Sequence, residues 1–394
     1  MSEQAQIREQ LLASAEALVP VLRERAPGAE RLGQLQPETI ADFQKAGFFK
    51  IVQPKKWGGY ECHPNVFFEV QMKLAEGDMS AAWVLGVVAI HNWQMALFDD
   101  QAAQDVWGQD PSVLLSSSYM PVAKIERVEG GFNFSGRWGF SSGSEHCDWV
   151  FLGGMIPPEK EGGAPDMRTF LLPRSDYEIV ENWDVMGLKA TGSNDIVVKG
   201  AFVPEHRTHK GIDAFLLQSP GNAINTDPLY KIPFGQIFPR AVSTAAIGAL
   251  QGALNAYNEV TAARVGKNDG KKTSTEPAAQ YVAAEASATV DELRLVLFSS
   301  FDRMMEAAAG GEPLTESERV KMRWESAVVV QKCCEAVDKL MGCSGGSAIF
   351  NDHPMNKFFR DIHSGRGHVA NTPEKFGRNW GSYQFGGPNT DFFI

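Results

Sequence analysis

The chain has no apolar run long enough to cross a bilayer. Its longest, Ala81 to Ile90, is about half of the ~20 residues that a spanning helix needs. The opening MSEQAQIREQLLASAEALVP is polar and amphipathic. It lacks the basic stretch followed by an apolar core that marks a signal peptide. Cysteine is scarce and unpatterned: Cys62, Cys147, Cys333, Cys334 and Cys343 make an odd number without a C-x-x-C pair. This predicts reduced thiols in a cytoplasmic protein rather than a disulfide framework. Positive charge is also short, with 37 Lys and Arg against 48 Asp and Glu and a net charge of −11. No basic stripe is present, so neither a nucleic acid nor a membrane is an expected partner. G-x-G-x-x-G is missing, and with it the signature of a Rossmann dinucleotide site. There is no H-E-x-x-H. His363 and His368 stand five apart, about 140° round a helix, which suits a chelate poorly. No metal is expected.

What is present is ordinary globular usage, 43% hydrophobic and 22% charged over 394 residues, which suggests two to three domains at about 150 residues each. Up to about Gly108 the pattern is helical, as in Leu11, Leu12, Ala15, Leu18, Val19 and Leu22. Pro37 opens a second helix that stops near Gly47, QPKKWGGYECHP reads as a loop, and Ser80 is placed to cap a buried helix running to Leu97. From Ser112 to Arg207 the period changes to short Val-, Phe- and Ile-rich runs broken by Gly, Pro and Asp, with a hairpin turn at Glu129-Gly130-Gly131. No helix-length segment separates these strands, so a parallel βαβ sheet is not expected. Helices return from about Phe238, and the capping box Thr315-x-x-Glu318 starts one that can run to about Gly342. GKNDGKKTSTEP reads as a polar connection. The fold class is therefore α+β in blocks, with domains at 1–110, 111–212 and 213–394. The aperiodic stretch 209–236 is long enough to be a functional cover.

Several motifs are matched in letters only. Gly342-Cys343-Ser344-Gly345-Gly346 fits G-x-S-x-G, but a helix precedes it where a nucleophile elbow needs a strand. Gly266 to Lys271 has three residues between glycines where a phosphate loop needs four. Polar residues in apolar or small-residue settings remain. His91 lies within VVAIHNWQMALF, where the plainer alternative is a core histidine bonded to a backbone carbonyl. Ser116-Ser117-Ser118 begins the β region, with a strand-edge hydroxyl ladder as its plain reading. Trp138 to Ser144, WGFSSGS, offers hydroxyls and backbone that could approach a planar ring, or is an ordinary turn. His368, in RDIHSGRGHVAN, could titrate near neutrality as a base or simply end a surface helix.

MGLKATGSND with IVVKGAFVPEHR, the early FFKIVQPKKWGG and the late Arg360-Asp361 resemble the signatures of the acyl-CoA dehydrogenase superfamily over essentially the whole chain. The resemblance implies an N-terminal helical domain, a central β-barrel domain, a C-terminal four-helix bundle and a homotetramer. Where the dehydrogenases carry the Glu-Gly-Thr that supplies a base, this chain reads His368-Val369-Ala370-Asn371. HNWQMALF, SSSYMP, WGFSSGSEH and the spacing of His363 and His368 resemble instead the oxygenase component of two-component flavin monooxygenases that hydroxylate phenols. Steroid-ring and 4-hydroxyphenylacetate hydroxylases are among these. That resemblance implies reduced FMN or FAD from a separate NAD(P)H:flavin reductase, O2 as co-substrate through a C4a-hydroperoxyflavin, and ortho-hydroxylation of a small aromatic substrate. The implied roles are His368 as base, His91 and Ser117 on the phenolic oxygen, and Ser142 at the flavin N5 region. Trp138, Gly143, Thr191, Gly192 and Ser193 would flank the flavin. A sulfur or nitrogen oxygenase of the same fold and an acyl-CoA dehydrogenase are the alternatives.

Overall fold

The computed structural model describes residues 2–157, 166–266, 270–392 and 394. Part of the GKNDGKKTSTEP connection, residues 267–269, lies outside them. Five helices precede the first strand: α1 (Glu3–Leu32), α2 (Pro37–Ala46), α3 (Pro64–Ala75), α4 (Met79–Met95) and α5 (Asp100–Trp107). Gly47 stops α2 in the left-handed conformation that glycine adopts without strain. Every residue of α4 is buried, as a helix apolar on all sides requires. Its cap is Asp78, not Ser80. The Asp78 carboxylate accepts the Ser80 N–H at 2.9 Å, which draws Ser80 into the first turn.

The strands are β1 (Leu115–Ser118), β2 (Lys124–Val128), β3 (Gly131–Ser141), β4 (Trp149–Ile156), β5 (Asp166–Pro173), β6 (Glu178–Val180), β7 (Asn194–Pro204) and β8 (Thr208–Lys210). Among the described residues their pairing resolves the implied β-barrel into two four-stranded sheets, β1-β4-β5-β8 and β2-β3-β7-β6. Gly130 turns the β2–β3 hairpin with positive φ. Among the described residues only β1 and β4 pair in parallel, and strands rather than an α-helix connect them. Between the sheets lies an aromatic and β-branched core that includes Phe132, Phe134, Trp138, Val150, Phe170 and Ile196.

The chain then returns to helices: α6 (Gly211–Phe215), α7 (Phe234–Ala241), α8 (Thr244–Ala263), α9 (Pro277–Ala308), α10 (Glu316–Ala327), α11 (Val329–Cys343), α12 (Pro354–Gly365) and α13 (Pro373–Gln384). The capping box at Thr315 is formed, but Val328 divides the helix it starts into α10 and α11. The bundle helix α8 packs on α9, α11 and α12 and also on α3, so the N-terminal helices and the bundle share one core. A buried ion cluster locks the parts together. Lys357 Nζ lies 2.6 Å from Asp361, 3.0 Å from Asp78 and 3.5 Å from Glu30. Asp361 also accepts the Leu188 N–H at 2.7 Å, which fixes the 186–193 turn against the bundle. Among the described residues no helix is long and apolar enough to cross a membrane.

Candidate active site

His91 projects from α4 towards β1 and is wholly buried. Its Nδ1 lies 2.7 Å from the Leu115 carbonyl. A carbonyl can only accept, so Nδ1 carries the hydrogen and Nε2 is left with a lone pair. That Nε2 is buried and has no partner. Burial, against the Leu115 bond, lowers the pKa of the ring to about 4, so His91 is neutral at pH 7 with its acceptor unspent. The plainer reading of His91 is thus correct for one nitrogen and silent on the other.

His368 has the opposite tautomer. It follows α12 and caps the short turn Val369–Asn371, where its Nδ1 accepts the Ala370 N–H at 3.1 Å. The neutral ring therefore holds its hydrogen on Nε2 and presents a donor. Burial of the ring, then the charge of Arg323, lowers its pKa to about 4. This geometry opposes the expected role of His368 as base, because its lone pair is already engaged. Arg323 donates to the Ala370 carbonyl at 3.1 Å and Asn371 to the Val242 and Gly365 carbonyls at 3.0 and 2.9 Å. These bonds hold the His368 turn.

The two histidines belong to one aromatic wall. The Tyr119 ring lies 6.3 Å from His91 and 5.2 Å from Phe238, and Phe238 lies 6.2 Å from His368. The Tyr119 hydroxyl donates to Gln94. Burial raises the Tyr119 pKa, against hydrogen bonds with Ser117 and Gln94, so Ser117 lies on this wall as well. Trp83 continues it, 5.8 Å from His368.

Trp83 also links the wall to a hydroxyl relay. Its indole N–H donates to Ser142 at 3.2 Å. Ser142 and Ser193 are 2.7 Å apart, Ser193 and Thr191 2.7 Å, and Thr191 donates to the Leu188 carbonyl at 2.9 Å. That last bond sets the direction of the rest. With the Thr191 hydrogen spent on Leu188, Ser193 donates to Thr191 and Ser142 donates to Ser193. Ser142 keeps one free lone pair and no free hydrogen. Gly143, at φ 71°, bonds its N–H to the Thr191 carbonyl at 2.8 Å. A Cβ there would come within 2.9 Å of Val84. Gly192 also has positive φ and sits against Gln34.

Trp138 does not belong to this group. Its ring stacks on Phe134 at 5.1 Å inside the sheet core, and its N–H is shared by the Met120 and Gly153 carbonyls at 3.0 and 2.9 Å. A strand side chain that faces the core cannot also flank a cofactor outside it. His363 likewise points elsewhere, to Asp338 at 2.8 Å. Sequence reasoning missed Trp83, Gln94, Phe238 and Arg323. In an all-apolar helix nothing distinguishes a tryptophan whose N–H has a task.

The relay suits a flavin. Ser142 has a lone pair to spare for the polar edge of an isoalloxazine, Gly143 sets no side chain beside it, and the buried hydroxyls of its chain neighbours Ser141 and Ser144 have no partner.

Comparison with known proteins agrees. A model of the acyl-CoA dehydrogenase C-terminal domain matches residues 241–373. The flavin-dependent monooxygenase oxygenase subunit HsaA of Rhodococcus jostii is 38% identical, over 96% of this chain and 99% of its own. Its namesake from Mycobacterium tuberculosis is 37% identical over 98% of both. The crystal structure of 3-HSA hydroxylase from Rhodococcus sp. RHA1 superposes with a TM-score of 0.93 at 37% identity, covering 98% of this chain and 99% of that one. On these grounds the chain, with its acyl-CoA dehydrogenase fold, belongs to the oxygenase subunits of the flavin-dependent monooxygenases.

Proposed function

We propose that this oxygenase subunit hydroxylates a phenol beside its hydroxyl group, and that His91, Ser117 and His368 hold the phenolic oxygen. The observation that carries the reading is the pair of neutral histidines in opposite tautomers on one aromatic wall. Attack from a phenol ring needs the O–H proton to leave and the resulting negative oxygen to be stabilised. The bare Nε2 of His91 is an acceptor for that proton, and the Nε2–H of His368 is a donor for the oxygen.

Bound reduced flavin supplies the electrons that activate O2. Ser142 would accept a hydrogen bond from the N5 edge of a bound flavin, because the relay leaves it a lone pair and no hydrogen. N5 carries hydrogen in the reduced flavin and lacks it in the oxidised one, so this polarity favours the reduced form. Thr191, Ser193, Gly143 and Gly192 would hold the same edge. Water is excluded by Trp83, Tyr119, Phe234 and Phe238 and by the 209–236 segment. That segment is tied down where Asn225 donates to Ala96 at 2.8 Å and Trp93 donates to Leu229 at 2.8 Å.

A separate NAD(P)H:flavin reductase supplies FMN or FAD in reduced form, as the name oxygenase subunit carried by the relatives supports. The cytoplasm is the proposed compartment, and five unpaired cysteines, four of them buried, support it. The division at 1–110, 111–212 and 213–394 is proposed as three structural domains. A homotetramer would cover exposed apolar side chains such as Phe350, Ile349 and Leu295.

The test mixes the protein with chemically reduced flavin, O2 and a panel of phenols. Catechol formation with suppressed hydrogen peroxide supports the reading. Stoichiometric peroxide and no catechol from any phenol sinks it.

A further inference from the structure

We propose that Asp361 is a positioning residue for the flavin. It holds Leu188 in a left-handed conformation that aims the Leu188 carbonyl at Thr191, and so fixes which way the hydroxyls of the relay point. This rests on the reading above that Ser142 meets the flavin N5.

Leu188 has a φ of 53°. That region crowds the Cβ of an ordinary residue against its own chain, and leucine has no polar group to compensate. A residue stays there only where its surroundings over-determine it. Here they do. The Leu188 N–H donates to Asp361 Oδ1 at 2.7 Å. The Leu188 carbonyl accepts the Thr191 hydroxyl at 2.9 Å, the Trp183 indole N–H at 3.0 Å and the Thr191 N–H at 3.2 Å. The preceding residues are clamped as well. Arg360 donates to the Met186 carbonyl at 2.8 Å, and a Cβ on Gly187 would fall 2.3 Å from the Arg360 carbonyl. Consecutive residues of α12 thus hold the turn from which the relay starts.

Only a carboxylate serves at position 361. Asp361 is fully buried and gives one oxygen to each of two donors, Oδ1 to Leu188 and Oδ2 to Lys357 Nζ at 2.6 Å. An amide has one oxygen. It would turn that oxygen to the ammonium, the stronger donor, and set its NH2 against the Leu188 N–H, two donors face to face. Lys357 also reaches Asp78, the cap of α4, at 3.0 Å. Helix α4 carries Trp83, whose N–H meets Ser142 at the other end of the relay. One ammonium therefore ties down both ends of the chain from Trp83 to Leu188.

Once Leu188 is released, its carbonyl leaves Thr191. The Thr191 hydrogen then turns to Ser193 and the Ser193 hydrogen to Ser142, which frees the Ser142 hydrogen for N5. Oxidised flavin, with its bare N5, gains what reduced flavin loses. A residue that merely stabilised the fold would weaken both redox forms alike and leave their ratio unchanged.

Equilibrium binding of FMN and, without oxygen, of reduced FMN to the full-length protein reads that ratio. Asp361→Asn, of the same shape, should lower the preference for the reduced form about 2- to 10-fold, the worth of one hydrogen bond. Gly187→Ala presses a methyl group on the Arg360 carbonyl, leaves every charge in place and should do the same. Ser193→Ala turns the relay from its middle, so adding Asp361→Asn to it should lower the ratio no further. A parent ratio in either folded single variant, or an additive drop in the double variant, overturns the role of Asp361 while leaving the Ser142 reading intact. A ratio unmoved by Ser193→Ala overturns the Ser142 reading itself.

Discussion

Removing the imidazole at position 91 separates the roles of the two histidines. The phenol proton must pass from a group of pKa near 10 to one that burial holds at about 4 in the free protein. That gap of about six units is about 8 kcal/mol. An imidazolium–phenolate contact at about 3 Å returns about 5–6 kcal/mol at an effective dielectric of 20. Full transfer before the attack is therefore uphill by about 2–3 kcal/mol, and the proton moves as the ring attacks. His91→Ala deletes the acceptor and should slow hydroxylation about a hundred- to ten-thousand-fold. His368→Ala deletes a donor to a charged oxygen, about 1.5–3 kcal/mol, or about 10- to 150-fold. The assay is a single turnover in stopped flow, with reduced flavin preloaded and catechol and peroxide both quantified. Fluorinated phenols, which ionise at lower pH, should restore rate to His91→Ala and much less to His368→Ala. If the acidic phenols rescue the position 368 variant instead, or if His91→Ala turns over at the normal rate, the tautomer argument is wrong.

Two other outcomes follow from named groups. Ser193→Ala frees the Ser142 hydrogen to meet an unprotonated N5, so the preference for reduced over oxidised flavin should fall by about 2- to 10-fold, the worth of one hydrogen bond. Equilibrium binding of both redox forms measures this, and an unchanged ratio refutes the relay's direction. Stability should fall with acid. His91 and His209 are both held at about 4 when folded and return to near 6.5 when unfolded. The unfolded chain thus binds more protons between those values, and stability rises with pH through that window. Each costs about 2 kcal/mol on going from pH 7 to pH 5. Urea midpoints at the two pH values check it, and His209→Gln should flatten the dependence. An unchanged slope contradicts it.

The fold was legible because its signals are local. The three-and-four spacing in α1, the glycine after α2, the capping box at Thr315 and the short alternating runs of the β region each specify their own element. The resemblance then arranged the blocks. Candidate site residues were legible where a polar group stood out from its surroundings, as His91 does in an apolar helix and the serines do at 117 and 142. What failed needed three dimensions. Trp138 and Trp83 are equally plausible in sequence, and only strand alternation and helix packing decide that the first enters the sheet core while the second donates to Ser142. The role of His368 turned on a backbone N–H two residues away. The cysteine, serine and glycine letters of the misleading G-x-S-x-G were correctly set aside, since α11 precedes them.

The most direct measurement follows the oxygen atom. Reduced flavin, isotopically labelled O2 and the panel of phenols are mixed with the protein and the product is weighed by mass spectrometry. The account predicts a catechol that carries one labelled atom in its new hydroxyl. An unlabelled catechol, or peroxide that accounts for all the oxygen consumed, contradicts it.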